Sequence, residues 1–250
     1  MNGSPELQRS SKTRSAAFDP IAAARTLKRR LADRVAEHLT HKWDQQHGVD
    51  TGGRVAINAS RVAVVGNHAG SGYDIVSTPP SVFAYLSRYF PAQRNDYSYM
   101  DIGCGKGRTV MLASELGFKS CIGVDFASFA CDVARENLPR YKSPVPERSP
   151  CAIFNDCATK CAFPDGNLLL FFNNPFAMDL WPEVARRVTE AADQERAVTI
   201  ILIGSFPDTI RAAADIFTRS HAITKRAEGL TPRFWDSYAP FHFIVLANDR

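Results

Sequence analysis

The stretch DIGCGKGR, residues 101–108, decides the fold of this chain. It follows a strand-like run and opens a helix-like one, and glycines at positions 103, 105 and 107 remove three side chains where the chain turns. A ligand can then approach the backbone closely, beside the free amide groups of a helix N-terminus. The alternating glycines therefore predict a ligand-binding turn between a strand and a helix.

Three other interpretations of this loop can be compared with its spacing. A phosphate-binding P-loop requires Ser or Thr after the Gly-Lys pair, but Gly107 follows Lys106, which excludes that motif. A dinucleotide site has the spacing G-x-G-x-x-G, which these glycines do not follow, so an NAD-dependent oxidoreductase stays only as an alternative. A tight turn without any ligand is the remaining structural alternative.

Strand-like and helix-like runs alternate from residue 97 onward. The predicted strands cover residues 97–102, 120–125, 151–154, 167–172, 197–203, 222–226 and 241–247. The predicted helices between them cover residues 108–116, 129–138, 178–192 and 207–217. This alternation predicts an α/β fold, with a doubly wound, mostly parallel sheet of seven strands. No helix separates the last two strands, which predicts an antiparallel C-terminal strand pair.

Carboxylates follow the second and third predicted strands. Asp125 ends the second strand about twenty residues after the glycine loop, where a carboxylate can accept both hydrogens of a ribose diol. Asp156 follows the third strand, where it can accept a hydrogen from the amino group of adenine, although an isolated Asp there is often only a turn residue. Since strand ends of a parallel sheet share one edge, both point to a nucleoside ligand.

The fourth predicted strand stops abruptly in LLLFFNNPF, residues 168–176. Asn173 and Asn174 can orient an amine or amide nitrogen without ionising, so the end of this strand can be a site where a nitrogen atom is held for chemistry. The alternative is a turn closed by side-chain hydrogen bonds, with Phe176 in the core.

Taken together, residues 73–247 resemble the class I S-adenosylmethionine-dependent methyltransferases (EC 2.1.1 class). The resemblance implies a Rossmann-like methyltransferase fold with S-adenosyl-L-methionine as cofactor. It also implies that the first motif, which comprises Asp101, Gly103, Gly105 and Gly107, wraps the methionine part. In the same family, residues at the positions of Asp125, Phe126 and Asp156 contact the ribose, the adenine ring and the adenine amino group.

The end of strand four also resembles one branch of this family. In the branch that methylates the amino group of adenine, this position reads Asn/Asp-Pro-Pro followed by Tyr or Phe. Here Asn174 replaces the first proline, so the chain looks closer to a poorly characterised bacterial group with Asn-Pro-Phe at this place. The stretch from Tyr73 to Pro80 is similar to an entry segment of that group, which implies that Tyr73 and Thr78 contact the cofactor. The implied activity is methyl transfer to a nitrogen of an acceptor, which can be a small molecule, a protein or RNA. The resemblance also implies that Asn173 and Asn174 are catalytic and that Phe176 stacks on the substrate.

The N-terminal region differs from the rest in charge and pattern. Residues 1–17 are predicted to be a disordered tail, and residues 18–90 a helical extension and a segment covering the cofactor; residues 91–250 form the predicted catalytic domain. Residues 1–60 contain ten Lys or Arg and six Asp or Glu, so the net charge of +4 originates there. Such a basic helix is expected either to bind an acidic or nucleic-acid partner or to be exposed to solvent without a partner. A protein that keeps the nucleotide without turnover and binds RNA or a protein partner through this helix is thus a further alternative.

Other classes of site are not indicated by the sequence. No cysteine pair has metal-ligand spacing, so no metal is expected. No apolar run is long enough to cross a bilayer, and a membrane partner is not expected. Six cysteines in mostly apolar surroundings favour a reducing, cytoplasmic location.

Overall fold

The computed structural model describes residues 20–55 and 75–248. The predicted disordered tail at residues 1–17 and the predicted cofactor contact Tyr73 lie outside the described residues. The N-terminal part contains a long helix α1 (Pro20–His47), a short antiparallel pair β1 (Arg54–Val55) and β2 (Ile75–Val76), and helix α2 (Pro80–Leu86). Helices α1 and α2 lie within residues 18–90, the range in which the sequence predicts a helical extension and a covering segment.

The second part alternates strands with helices. Its strands are β3 (Tyr97–Ile102), β4 (Ser120–Asp125), β5 (Cys151–Asn155), β6 (Asn167–Asn173), β7 (Val198–Gly204), β8 (Thr224–Leu230) and β9 (His242–Ala247). Its helices are α3 (Arg108–Ser114), α4 (Ser128–Arg140), α5 (Trp181–Asp193) and α6 (Pro207–Thr218). The order in the sheet is β5-β4-β3-β6-β7-β9-β8. Because β3 and β6 are neighbours although β4 and β5 separate them in sequence, the strand order reverses between β3 and β6.

The C-terminal strands pair as predicted. β9 runs antiparallel to both β7 and β8, while β3 to β7 pair in parallel. This arrangement confirms the predicted fold class, an α/β fold with a doubly wound, mostly parallel sheet of seven strands and an antiparallel C-terminal pair. The predicted sixth strand, residues 222–226, ends too early: β8 continues to Leu230 and includes Gly229.

The centre of the sheet explains the apolar run before the asparagines. β6 is buried along Leu168–Phe172, with helices packed on both faces. Phe171 faces a cluster that includes Phe83 and Tyr99, whereas Phe172 faces a cluster that includes Trp181 and Phe217. A strand covered on both sides has no polar face, which is why the run lacks alternation. Among the described residues, no helix is long and apolar enough to cross a membrane.

Candidate active site

A cavity of about 490 Å³ opens at the carboxyl ends of the central strands. Its position is the point where the strand order reverses, which is where open α/β sheets bind ligands. Of the twelve residues predicted for the site, ten line the cavity: Thr78, Asp101, Gly103, Gly105, Asp125, Phe126, Asp156, Asn173, Asn174 and Phe176. Gly107 does not line it, and Tyr73 is outside the described residues. A volume of this size is ordinary for a small-molecule site.

The glycine loop lies close to the segment that carries the two asparagines, because Pro175 packs against Gly103. Gly103 has a φ of +86°, a backbone conformation that glycine adopts without strain. A Cβ at Gly103 would clash with Pro175, which follows Asn174 directly. Gly105 has a similarly left-handed φ of +52°, and a Cβ there would lie 2.7 Å from Cγ2 of Ile75 in β2. The missing side chains thus allow both the site loop after β6 and the N-terminal segment to approach the turn.

Gly107 has a different role from that predicted. It is the N-cap of α3, with a φ of +83°, and its neighbours are Ala134 and Ile153 rather than the cavity. The structure therefore places it behind the turn, next to Ala134 of α4 and Ile153 of β5.

The buried carboxylate of Asp101 has one oxygen without a partner. Its Oδ2 accepts a hydrogen bond from the hydroxyl of Thr109, while its Oδ1 is buried and has no partner among the described residues. The pKa of Asp101 is raised to about 7, mainly by burial; the Thr109 hydroxyl opposes the shift and the nearby carboxylate of Asp125 adds to it. A buried acceptor without a partner is costly, and a ligand N–H at this place would satisfy it.

Asp125 is oriented by backbone amides. Its Oδ2 accepts from the amide of Gly105 at 2.8 Å, and its Oδ1 accepts from the amide of Ala127 at 2.9 Å. Burial raises the pKa of Asp125, and these amide bonds counteract the rise. Since each carboxylate oxygen can accept more than one hydrogen bond, Asp125 keeps acceptor capacity toward the cavity. Asp156 also lines the cavity, and its Oδ1 accepts from the amide of Cys157 at 2.7 Å.

Asn173 and Asn174 differ in how their side chains are held. Nδ2 of Asn173 donates to Oγ1 of Thr78 at 3.0 Å and to the carbonyl of Val76 at 3.4 Å, so its Oδ1 is directed away from these partners. Asn174 has a φ of +41°, and its Oδ1 is buried without a partner in the described part of the chain. Backbone strain and an unsatisfied carboxamide at a strand end are typical of functional sites.

Phe176 lines the cavity but is largely a core residue. Its ring centroid lies 4.5 Å from that of Trp181 and 6.3 Å from that of Phe172, which it meets edge-on. The structure therefore places the ring under the site, where it supports the turn that carries the asparagines.

Sequence reasoning missed several residues that complete the cavity. The cavity is also lined by Arg108, by Gly204 at the end of β7 and Phe206 after it, and by Tyr238 and Phe241 before β9. A Cβ at Gly204 would lie 3.1 Å from Cβ of Asn174, so this glycine leaves room for the asparagine. A glycine after a strand is unremarkable in sequence, and nothing in the pattern marks Arg108 as buried. These contributions depend on strand pairing and on long-range contacts.

Several solved structures are distantly similar to this chain. No protein-family model matches the sequence, and no curated protein sequence matches it either. A putative S-adenosylmethionine-dependent methyltransferase from Listeria monocytogenes is similar in structure with a TM-score of 0.48 and 13% identity, over 67% of this chain and 98% of that one. The N-methyltransferase NodS from Bradyrhizobium japonicum, solved with S-adenosyl-L-homocysteine, has a TM-score of 0.48 and 11% identity, over 68% of this chain and 86% of that one. Magnesium protoporphyrin IX methyltransferase from Synechocystis, solved with bound cofactor, has a TM-score of 0.47 and 12% identity, over 68% and 77% of the two chains.

Proposed function

We propose that this chain is an S-adenosylmethionine-dependent methyltransferase that transfers a methyl group to a nitrogen atom of its acceptor. The observation that carries the proposal is that one cavity joins two sets of polar groups. Asp101 and Asp125 lie on its β3–β4 side, and Asn173 and Asn174 lie on its β6 side. A nucleoside-bearing cofactor and a nitrogen acceptor can therefore meet inside a single enclosed space.

The residues present fit the cofactor. The partnerless Oδ1 of Asp101 suits the ammonium group of its amino-acid part, because a carboxylate accepts strongly from a charged donor. Asp125 suits the ribose diol and Asp156 the adenine amino group, with Phe126 beside the adenine ring. The acidic lining also suits a ligand with a sulfonium charge.

Methyl transfer requires alignment more than covalent catalysis. The bound cofactor would supply an electrophilic methyl group on its sulfonium. The protein has to hold the acceptor nitrogen in line with it, and such positioning lowers the barrier by avoiding an entropic cost at the moment of reaction. The carboxamide oxygens of Asn173 and Asn174 can accept the N–H groups of the acceptor and so fix the direction of its lone pair.

The acceptor side of the cavity is uncharged. On this side the lining comes from the ends of β6 and β7, the segments after them and the loop before β9. None of the described residues there is an Asp, Glu, Lys, Arg or His. The lining residues are Asn173, Asn174, Pro175, Phe176, Leu180, Gly204, Ser205, Phe206, Tyr238, Ala239 and Phe241. No carboxylate or imidazole is therefore placed there to remove a proton before attack. We infer that the acceptor nitrogen enters in its neutral form, as a weakly basic amine or an amide does.

Cofactor binding is the first test. The purified protein would be titrated calorimetrically with S-adenosyl-L-homocysteine, together with Asp125→Ala and the matched control Asp165→Ala, whose side chain is exposed just before β6. We expect saturable binding to the wild type and to the control, and a loss of at least ten-fold in affinity for Asp125→Ala, because a charge-assisted pair of hydrogen bonds is removed. Absence of binding to the wild type, or preference for a nicotinamide nucleotide, would contradict the proposal.

Turnover is the second test. A labelled methyl group on the cofactor would be followed into pools of metabolites, protein and RNA. We expect Asn174→Ala to bind S-adenosyl-L-homocysteine normally but to lose most transfer, whereas Ser205→Ala, changed in the same lining, should retain it. Full turnover of the Asn174 variant would show that Asn174 is not required for methyl transfer.

A second function is favoured by the surface of α1. Lys28, Arg29, Arg30 and Arg34 are all exposed on its N-terminal half. A cluster of this kind can bind an acidic protein or RNA by releasing counterions. Affinity for RNA that falls steeply with salt and disappears on neutralising these residues, without transfer of label to any pool, would favour a binding protein over an enzyme.

A further inference from the structure

Arg108 is a buried cation on the wall of the cavity. It is the first residue of α3, directly after the glycine loop, and its side chain is 2% exposed. A guanidinium hardly ever lies in a protein interior without a partner of opposite charge. The positive charge of Arg108 on the cavity wall must therefore be balanced by groups close to it.

The protein satisfies this guanidinium incompletely. Nε donates to Oγ1 of Thr51 at 2.6 Å, Nη2 lies 3.3 Å from Oδ1 of Asp44, and Nη1 lies 3.5 Å from the carbonyl of Thr78. The last two contacts are long, and a guanidinium carries more N–H groups than these three acceptors use. Donor capacity remains for a further acceptor.

Asp44 is shared among several donors. Its two oxygens also accept from the amide and the hydroxyl of Thr51 and from the amide of Gly52, at 2.8, 2.5 and 2.7 Å. Burial lowers the pKa of Arg108, and the neighbouring carboxylate of Asp44 opposes this shift. The ion pair therefore holds Arg108 at the cavity wall, and its long contact leaves N–H donor capacity for a further acceptor.

Charge complementarity indicates what that edge binds. The other charged residues of the described cavity lining are Asp101, Asp125 and Asp156, so Arg108 is the single cation among them. A ligand with both positive and negative groups would place its negative group at Arg108. The proposed cofactor has one anionic group, the carboxylate of its amino-acid part.

We propose that Arg108 binds the α-carboxylate of the cofactor and so makes the site selective for ligands that keep the amino-acid part. This inference rests on the proposed function. Asp44 and Thr51 act as positioning residues, because they fix the guanidinium before the ligand arrives. A carboxylate is the usual partner of such a planar donor edge.

The test compares two ligands that differ by this carboxylate. S-adenosyl-L-homocysteine and its decarboxylated analogue would be titrated into the wild type, Arg108→Gln and Arg108→Lys. The matched control is Lys106→Gln, since Lys106 is also a buried cation that holds the N-terminal segment, through Asp50 and the carbonyl of Gly52, but does not line the cavity. We expect the wild type to prefer the carboxylate ligand by about 10- to 100-fold, which is the range for hydrogen bonds to charged groups.

Each outcome separates the inference from the proposed function. The assignment is supported if Arg108→Gln loses the preference while Lys106→Gln keeps it. Arg108→Gln should then bind both ligands as weakly as the wild type binds the decarboxylated analogue. If Arg108→Gln weakens both ligands equally, Arg108 is structural only and the inference is wrong although the cofactor is right. Equal wild-type affinity for the two ligands would overturn it even if the variants failed to fold. Binding of neither ligand by the wild type would instead contradict the proposed function.

Discussion

Nδ2 of Asn173 lies 3.0 Å from Oγ1 of Thr78, and this contact joins the end of β6 to the segment that follows β2. The two residues are far apart in sequence, yet both line the cavity. Because the amide nitrogen is occupied by Thr78 and by the carbonyl of Val76, the carboxamide oxygen of Asn173 has a defined direction. The segment after β2 thus orients an asparagine that lines the cavity.

Replacement of Thr78 by valine should disturb this orientation at constant size. We expect Thr78→Val to lower turnover about 3- to 10-fold, since one neutral hydrogen bond contributes about 0.5–1.5 kcal/mol. The labelled-methyl assay measures this change, and calorimetry shows whether cofactor affinity falls as well. Thr199→Val, which alters a threonine at the opposite end of β7, is the control. Equal effects of both variants would show that Thr78 acts only through general stability.

Addition of a methyl group at Gly204 should displace Asn174. The new Cβ would lie 3.1 Å from Cβ of Asn174 and 2.9 Å from Cδ1 of Ile210. We expect Gly204→Ala to retain binding of S-adenosyl-L-homocysteine but to lose most turnover, because the cofactor side of the cavity is not altered. Such overpacking also costs about 1–3 kcal/mol of stability, which thermal unfolding would detect.

A second substitution separates these two effects. Ile210→Val removes the Cδ1 atom and should restore stability to Gly204→Ala without restoring turnover. If the double variant recovers turnover, the loss in Gly204→Ala was caused by the clash with Ile210 of α6 and not by displacement of Asn174.

The fold was largely readable from the sequence, because it depends on periodic patterns. The glycine loop, the alternation of strands with helices and the unbroken apolar run of β6 each follow from local residue types, and the predicted sheet with its antiparallel pair is confirmed. The strand ends also placed Asp125, Asp156 and the asparagines on one edge, since parallel strands share their carboxyl ends. The end of β8 was missed because Gly229, a residue typical of turns, lies inside the strand against the ring of Phe243.

The rest of the site depends on contacts that no local pattern contains. Arg108 is buried only because Asp44 and Thr51, both more than fifty positions earlier, fold onto it. The partner of Asn173 likewise comes from a distant loop. Gly107 resembles a ligand-binding residue in sequence, but its missing side chain makes room for α4.

The titration of Asp101 should give stability a pH dependence. Burial raises its folded-state pKa to about 7, above the unfolded value near 3.8. The folded state therefore binds the proton of Asp101 more tightly than the unfolded state does. The stability that results from this difference is fully present below about pH 4 and is lost as pH rises to about 7. Over that interval the free energy of unfolding should fall by about 1.4 kcal/mol per pH unit relative to Asp101→Asn, which does not titrate.

Chemical denaturation of both proteins at pH 5, 6, 7 and 8 measures the difference. A constant gap between them across this range would show that Asp101 is ionised throughout. If the carboxylate receives an ammonium group, binding of S-adenosyl-L-homocysteine at pH 6.5 should also release a proton. Titrations in buffers with different enthalpies of ionisation would detect that release, and Asp101→Asn should lack it.

The attachment of α1 to the sheet domain should depend on one buried carboxylate. Asp44 is 7% exposed and accepts hydrogen bonds from Thr51, Gly52 and Arg108, whereas Asp50, which pairs with Lys106, is 68% exposed. We expect Asp44→Asn to lower the free energy of unfolding by about 3–5 kcal/mol, since it leaves the buried guanidinium without its counter-charge. Asp50→Asn makes the same chemical change in the same segment and should cost about 0–1 kcal/mol, because exposed ion pairs contribute little. Urea unfolding at equilibrium gives both values. If the two substitutions cost the same, the Arg108–Asp44 pair does not hold the N-terminal segment on the cavity, and Arg108 must be positioned by its remaining contacts with Thr51 and Thr78.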